Sequence, residues 1–350
     1  MEGVTTSEKT ANTNAQLIPA RVEGFDMLRG LCAIGVACYH IFKWRDGFAM
    51  FSLGSYGVYV FFLLSGASMY VAYSRKFAQG YNSCKFIVLR FVRLAPLYAL
   101  VLSLTTTKAI VTGKSIHDAA GTALLNLSFV FGLGNPTMTS AVTGGWSLGI
   151  EFVFYFVFPL MLAVTRSRAW LVFLVASFIL QQIHVNQTLA GRSFSAAWDD
   201  YSHPLSFIFY FVTGCCIGRL IVDGVIRPSR RWFIVFALAA IPLLVMHGKD
   251  NLVGFSGILL SLCAAALALS AAGLPISGLG SVVSNALGRM SYGLYLTHSL
   301  LYAATSLLFK YQPTIVVAAV TLALSAATAL FIERYYEGPI QERIRAMLRI

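Results

Sequence analysis

Charged residues are scarce in this chain. They account for 11% of its 350 residues, while hydrophobic residues account for 57%. Soluble domains carry roughly 25% charged residues, so the composition excludes an ordinary soluble domain. Apolar runs long enough to cross ~30 Å of hydrocarbon recur along nearly the whole length. We therefore expect a polytopic integral membrane protein with no separate soluble domain.

The sequence also lacks the motifs of metal and disulfide chemistry. Its six cysteines lie mostly inside apolar runs and show no CxxC spacing, and its histidines form no HxxxH or HExxH pattern. Those spacings are the ones that indicate zinc sites, redox pairs or disulfide frameworks. The sequence thus predicts no metal ion, and we interpret the cysteines as small core residues.

A secretory leader is not indicated either. Residues 1–24 are polar and contain no short apolar core followed by a small-residue cleavage site, so we expect a cytoplasmic tail. The net charge of +12 could suggest nucleic acid as a partner. Basic residues, however, gather on the cytoplasmic side of membrane proteins. The predicted partner is therefore the lipid bilayer and not nucleic acid.

Ten apolar segments are strong candidates for membrane spans. They lie near residues 25–44, 54–74, 86–105, 146–165, 169–184, 204–222, 232–247, 252–272, 290–309 and 314–333. The fold class is therefore all-α, with a transmembrane domain over residues 25–339 and a basic cytoplasmic tail over 340–350.

One further apolar stretch, residues 117–136, is interrupted by glycines, an asparagine and a proline. If it crossed the membrane, Arg166, Arg168 and the basic cluster at 219–231 would move to the outer face, against the positive-inside bias. We therefore expect ten spans with both termini cytoplasmic. The weak stretch is predicted as a re-entrant or interfacial segment whose broken backbone is covered by protein.

The first span carries two ionisable residues, Arg29 and His40. An ionisable side chain inside a membrane costs at least ~2.5 to 3.5 kcal/mol, so such residues usually have partners or a function. Eleven positions make about three helical turns, which puts both side chains on one face, ~16 Å apart along the axis. The alternatives are a snorkelling anchor for Arg29 and a hydrogen-bonded core residue for His40.

A lone acid, Glu151, lies in the apolar segment GGWSLGIEFVFYFVFP. Counting from the outer end of each span gives Glu151 and His40 a similar depth, so we expect the two side chains to meet. A carboxylate beside an imidazole fixes its tautomer and stabilises the charged ring, as a general base requires. A structural pair without chemistry is the alternative.

Arg90 and Arg93 lie three residues apart at the cytoplasmic end of the third span. Together with Arg29 they would form a basic mouth suited to phosphate groups. Positive-inside anchoring predicts the same arginines without any ligand.

Hydroxyl and imidazole groups recur near the C-terminus, where Ser291, Tyr295 and His298 fall on one helix face. They would either line a substrate cavity or form hydrogen bonds between helices. Ser65 precedes Gly66, but without a GxSxG elbow a serine nucleophile is disfavoured and close helix packing is favoured.

Taken in chain order, these motifs resemble membrane-bound acyltransferase family 3, the bacterial type that O-acylates cell-surface polysaccharides. The matching residues are Arg29 and His40; Gly57, Val58, Phe61, Phe62, Ser65 and Gly66; Arg90, Arg93 and Pro96; Trp146, Ser147, Leu148, Glu151, Tyr155 and Pro159; Gly288, Ser291, Tyr292, Tyr295 and His298; Glu337 and Pro339. The form WSLGIEFVFY is most similar to the branch associated with exopolysaccharide production.

The resemblance implies a ten-helix enzyme of the bacterial inner membrane. It would move an acyl group, most often acetyl, from cytoplasmic acyl-CoA to a hydroxyl of a glycan or lipid-linked saccharide, with no permanently bound cofactor. His40 matches the family's proposed catalytic histidine and Glu151 its acid, while Arg29, Arg90 and Arg93 match its essential arginines. We expect the substrate cavity to be lined by Ser65, Trp146, Ser147, Tyr292, Tyr295 and His298.

Three questions stay open from the sequence. His40 would either deprotonate the acceptor or carry the acyl group itself. A transporter or flippase of lipid-linked sugars would also need intramembrane Arg, His and Glu, although no matching pair of broken helices indicates an inverted repeat. A catalytically inactive family member retained as an assembly partner is the third interpretation.

Overall fold

The computed structural model describes residues 21–48, 50–246 and 252–347. Every regular element within these ranges is helical. The α-helices are α1 (Glu23–Asp46), α2 (Phe51–Ala78), α3 (Ser83–Val111), α4 (Ile116–Leu127), α5 (Pro136–Thr139), α6 (Gly145–Arg166), α7 (Trp170–Leu189), α8 (Phe194–Tyr201), α9 (Ile208–Val222), α10 (Arg231–Val245), α11 (Gly254–Ala272), α12 (Leu279–Leu308), α13 (Thr314–Ile332) and α14 (Gly338–Met347). Residues 1–20 of the predicted N-terminal tail and 348–350 of the predicted C-terminal tail lie outside the described residues.

The chain is a multi-pass membrane protein. Among the described residues, seven helices are long and apolar enough to span a bilayer, namely α1, α2, α3, α6, α7, α11 and the helix that starts at Thr314. The three other predicted spans coincide with α9, α10 and α12. At 15 residues each, α9 and α10 measure only ~22 Å, and α12 is long but rich in polar side chains that face other helices.

The weak apolar stretch forms a bent segment that contacts protein. Its main helix, α4, has 12 residues and would extend only ~18 Å, too short to cross. The buried side chain of Asn126 holds the return of the chain, because its amide donates to the Thr139 carbonyl while its oxygen accepts from the Tyr98 hydroxyl and the Ala141 amide. Protein thus covers the broken backbone, as a non-spanning segment requires.

Helices α1 and α12 run parallel and contact each other along most of their length. From one end to the other, the paired residues are Glu23 with Ser281, Gly30 with Leu287, His40 with His298, and Arg45 with Gln312. This pairing brings the two intramembrane histidines together.

Helix α2 packs on the other side of α1 and against α9. A Cβ atom on Gly66 would lie 2.3 Å from the Phe211 carbonyl oxygen, and one on Gly214 would lie 2.1 Å from that of Leu63. Glycine at both positions therefore permits backbone-to-backbone contact, as is common between membrane helices. Helices α7 and α10 instead expose large apolar side chains, for example Val172 and Ile234, on the face available to lipid.

Candidate functional site

A cavity of about 720 Å³ lies between α1, α2, α3, α6 and α12. Eight of the predicted site residues line it, namely Arg29, Ser65, Arg90, Arg93, Ser147, Glu151, Tyr292 and Tyr295. Three predicted site residues, His40, Trp146 and His298, do not line it. Residues from five helices that are distant in sequence thus form one chamber.

One end of the cavity is strongly basic. Besides the three predicted arginines, Lys76, Lys85 and Arg345 line it. Arg345 lies in the predicted C-terminal tail and belongs to α14, so one side chain of that segment lines the cavity. Such a concentration of cations favours an anionic ligand with several charges.

Arg29 holds its position through two hydrogen bonds. One guanidinium nitrogen donates to the Asp26 carboxylate at 3.1 Å and another to the Ser68 hydroxyl at 3.2 Å. Asp26 also accepts from Arg21, which lies just before α1. Arg29 is therefore a fixed wall of the cavity and not a freely snorkelling anchor.

Arg90 has a hydrogen-bond donor that the described residues do not use. Its guanidinium donates to the Tyr73 hydroxyl at 2.7 Å and lies over the Tyr73 ring, 5.0 Å from the centroid. Its Nε is buried and has no hydrogen-bond partner among the described residues. This buried charged donor is therefore available to a ligand in the cavity. The Arg93 guanidinium, one helical turn away, likewise makes no hydrogen bond within the described part of the chain.

Glu151 lies on the cavity wall, but it does not orient His40. Its Oε1 accepts hydrogen bonds from the Ser65 hydroxyl at 2.6 Å and the Tyr155 hydroxyl at 2.7 Å. Within the described ranges, no hydrogen bond or ion pair joins Glu151 to His40. The prediction that these two side chains meet is wrong.

The error comes from counting depth from the membrane surface. Helix α6 does not begin at the surface, because the preceding Gly144 carbonyl accepts a hydrogen bond from Tyr295 at 3.0 Å. Tyr295 lies one turn before His298 along α12, so α6 starts at a level deeper than His40. Glu151 then follows seven residues later, a further ~10 Å toward the basic end.

The partner of His40 is His298. His40 Nδ1 lies 2.9 Å from His298 Nε2, and the two rings are coplanar within 1°. His298 is fully buried, and its Nδ1 lies 2.7 Å from the Tyr295 carbonyl oxygen. The sequence assigned His298 to the substrate cavity; the structure instead buries it behind the cavity wall, because both of its nitrogens are engaged by protein.

These contacts determine the tautomers of the neutral pair. A carbonyl oxygen only accepts, so His298 Nδ1 carries the proton and His298 Nε2 is an acceptor. His40 Nδ1 must then be the donor, which leaves the lone pair of His40 on Nε2. The pair therefore presents a nitrogen that is able to accept a proton, and no carboxylate of the described residues forms a hydrogen bond or ion pair with it.

Trp44 covers one side of the histidine pair. Its indole is parallel to the His40 ring within 8°, with centroids 4.9 Å apart, and it also contacts Tyr302. Trp44 is itself 41% exposed. It lies four residues after His40 on α1, a spacing that could have predicted the contact from the sequence.

The cavity ends about one helical turn from His40. A Cβ on Gly57 would lie 2.9 Å from the Val36 side chain, so Gly57 and Val36 lie at the same height along α1. Val58, the next residue, lines the cavity at almost that height. Val36 precedes His40 by four residues, or ~6 Å. The cavity thus bridges most of the ~16 Å that separates Arg29 from His40 along α1.

A family profile described as an acyltransferase domain matches residues 22–334. The chain belongs to the acyltransferase 3 family. The resemblance identified from the sequence is thereby confirmed, and the cavity just described is that of an acyltransferase 3 protein.

Two curated relatives each share 28% identity with this acyltransferase 3 protein. YrhL of Bacillus subtilis, provisionally named a peptidoglycan O-acetyltransferase, aligns over 182 residues, 45% of this chain and 27% of the relative. The exopolysaccharide production protein ExoZ of Rhizobium meliloti aligns over 195 residues, 53% of this chain and 57% of the relative. The aligned region therefore covers less than two thirds of either relative. No solved structure matches the chain.

Trp146 points away from the cavity of the acyltransferase 3 protein. Its ring packs against Trp198 and Phe207, with centroids 5.1 and 5.7 Å away. Its neighbour Ser147, about 100° further around α6, faces the cavity instead.

Sequence reasoning missed several residues of the site. Ser68 and Tyr73 bind the arginines, and both follow Ser65 along α2 at helical spacing, which could have extended the predicted face. Lys76 and Arg345 lie in basic segments that positive-inside anchoring alone would explain, so their sequence context gave no signal of a site. Within the described residues, no group of three or more metal-ligating side chains occurs.

Proposed function

We propose that this protein transfers an acetyl group from cytoplasmic acyl-CoA to a hydroxyl of a glycan on the outer side of the bacterial inner membrane. One observation carries the proposal: a single cavity leads from a basic mouth to a point one turn from the histidine pair. Membership of the acyltransferase 3 family supports an acyl donor and an acceptor, and the names of both relatives support a glycan as the acceptor.

The direction of the helices supports a ten-span topology. Helices α1 and α12 are parallel, and seven predicted spans separate them. An odd number of intervening crossings returns the chain in the same direction, whereas an eighth crossing by α4 would make α1 and α12 antiparallel. With the basic ends cytoplasmic, as the positive-inside bias requires, His40 belongs to the outer half of the membrane.

The basic mouth suits the donor. Arg29, Arg90 and Arg93 would bind the phosphate groups of CoA, and the unpartnered Nε of Arg90 is available for one of them. The pantetheine arm would extend along the cavity past Ser65 and Glu151. Glu151 is then a wall residue that contacts the arm, and not the partner of the base.

His40 would act as the general base from the far end. Its Nε2 takes the proton of the acceptor hydroxyl while the hydroxyl oxygen attacks the thioester carbonyl carbon. The Nδ1–H of the resulting imidazolium still donates to His298. When the C–S bond breaks, the proton on Nε2 passes to the sulfur and CoA leaves as the thiol. Direct attack by Nε2, with an acyl-histidine intermediate, would use the same lone pair.

The proposal is tested with protein purified in lipid nanodiscs, labelled acetyl-CoA and a glycan-containing cell-envelope fraction as acceptor. His40→Ala should lower acetyl transfer by about 10² to 10⁴-fold, the usual contribution of a general base. His117→Ala is the matched control, because His117 is exposed and distant from the cavity. Full transfer by His40→Ala would refute the proposed role. Movement of the acceptor across the membrane without CoA release would indicate transport instead.

A further inference from the structure

Two hydroxyl groups lie together at the end of the cavity nearest the histidine pair. The Ser147 and Tyr295 oxygens are 2.9 Å apart, and both side chains are buried yet line the cavity. Each hydroxyl is also within hydrogen-bond distance of the Gly144 carbonyl oxygen, at 2.9 Å for Ser147 and 3.0 Å for Tyr295. The three groups form a closed triangle one turn before His298.

This triangle has three oxygen–oxygen contacts but only two hydroxyl protons. Two hydroxyls supply two protons, so only two of the three oxygen pairs hold a hydrogen bond at any time. The Gly144 carbonyl also accepts a hydrogen bond from the Ser147 backbone amide at 3.2 Å, so it stays paired when a hydroxyl turns away. Both hydroxyls can therefore turn their protons toward an oxygen arriving in the cavity, without leaving a buried carbonyl unpaired.

The backbone is built for this close approach. Gly144 has a φ of +78°, in the left-handed region, and a Cβ atom there would lie 2.8 Å from the Tyr295 hydroxyl oxygen. Only glycine lets the carbonyl and the phenol meet without strain. The Tyr295 ring is held edge-on by Phe61, 5.7 Å away, so the phenol is directed at the end of the cavity.

A second tyrosine–serine pair has the same hydroxyl contact but does not line the cavity. The Tyr210 and Ser261 oxygens lie 2.8 Å apart and are equally buried, but neither residue lines the cavity. Ser261 donates to the Gly257 carbonyl of its own helix. That pair joins α9 to α11.

We propose that Tyr295 and Ser147 are catalytic residues that donate hydrogen bonds to the acyl carbonyl oxygen of the donor. The inference rests on the proposed function. As the acceptor oxygen bonds to the carbonyl carbon, the carbon–oxygen π electrons move onto the carbonyl oxygen, and the two hydroxyls stabilise that charge. The π bond re-forms as the C–S bond breaks, and the sulfur takes the proton held by His40.

The experiment is difference infrared spectroscopy of the full chain with acetyl-CoA labelled with ¹³C at the carbonyl. Hydrogen bonding lowers the carbonyl stretching frequency, so the bound label should absorb at lower wavenumber in the wild type than in Tyr295→Phe. Because Ser147 can replace the phenol, the double variant Tyr295→Phe/Ser147→Ala should show the full loss of that shift. Tyr210→Phe, which removes the equivalent hydroxyl outside the cavity, should match the wild type.

Kinetics give the second readout. Tyr295→Phe should lower kcat by about 10²-fold, as expected for loss of one donor to a developing oxyanion, with KM for acetyl-CoA nearly unchanged. A double variant that binds acetyl-CoA with the wild-type carbonyl frequency would overturn this inference while leaving the proposed function intact. Absence of acetyl-CoA binding to the wild type would instead overturn the proposed function itself.

Discussion

The imidazole of His298 has one nitrogen committed to a backbone carbonyl, and that commitment determines the chemistry of its neighbour. Because Nδ1 donates to the Tyr295 carbonyl, Nε2 can only accept, and the lone pair of His40 is left on its own Nε2. We therefore propose that His298 orients His40. A neutral partner in this position is consistent with the membrane interior, where an unpaired carboxylate is costly.

His298→Ala should lower kcat by about 10² or more, because His40 loses the acceptor that fixes its tautomer. His298→Gln should recover part of the loss, since its amide oxygen can occupy the place of Nε2. Acetyl-CoA affinity should stay unchanged in both variants. Equal activity of the Ala and Gln variants would show that His298 only fills space.

Arg90→Ala should weaken acetyl-CoA binding by about 10 to 100-fold, since hydrogen bonds to charged groups contribute ~1.5 to 3 kcal/mol. The measurement is titration of the purified protein with acetyl-CoA. The control is Arg192→Ala, which removes the same charge from an exposed ion pair with Asp200 distant from the cavity. If both variants bind alike, the basic mouth is an anchor and not a phosphate site.

The positions of the helices were predictable from the apolar runs, and all ten predicted spans coincide with a helix. The start of α12 was not predictable, since residues 279–289 are too polar to resemble a span. Ser281 and Ser284 donate hydrogen bonds to Glu23 at the start of α1, so this polarity faces protein and not lipid.

The residues of the site were predictable only in part. Charges such as Arg29 and Glu151 stand out in apolar helices, and both proved to line the cavity. The pairing of His40 with His298 was not predictable, because it depends on α1 and α12 being neighbours in one register. The separation of Glu151 from His40 depends on α6 starting inside the protein. Neither fact follows from the local sequence.

Glycine at the contact between α2 and α9 should be indispensable. Gly214→Ala places a Cβ against the Leu63 carbonyl and should destabilise the fold by about 1 to 3 kcal/mol. Gly121→Ala is the matched substitution in α4, where no atom lies within 4 Å, and it should be neutral or slightly stabilising. Thermal unfolding in detergent compares the two. Equal melting temperatures would contradict this packing.

At the scale of the molecule, the proposed function requires the basic mouth and the His40 end of α1 to face opposite sides of the membrane. Cys84, the exposed cysteine among the described residues, begins α3 next to the basic mouth. Phe48 is exposed at the other end of α1, beyond His40. A membrane-impermeant maleimide should label Cys84 only from the cytoplasmic side and a Phe48→Cys variant in a Cys84→Ser background only from outside. Labelling of both from one side would refute the topology.

The most direct test of the central claim is transfer across an oriented bilayer. Proteoliposomes are prepared with the basic mouth facing inward, labelled acetyl-CoA is enclosed, and the glycan fraction is added outside. The account predicts that label appears on the external glycan, and that it does not when donor and acceptor are both supplied from outside. Equal transfer with both substrates on the outer face would contradict a cavity that leads from a cytoplasmic donor site to His40.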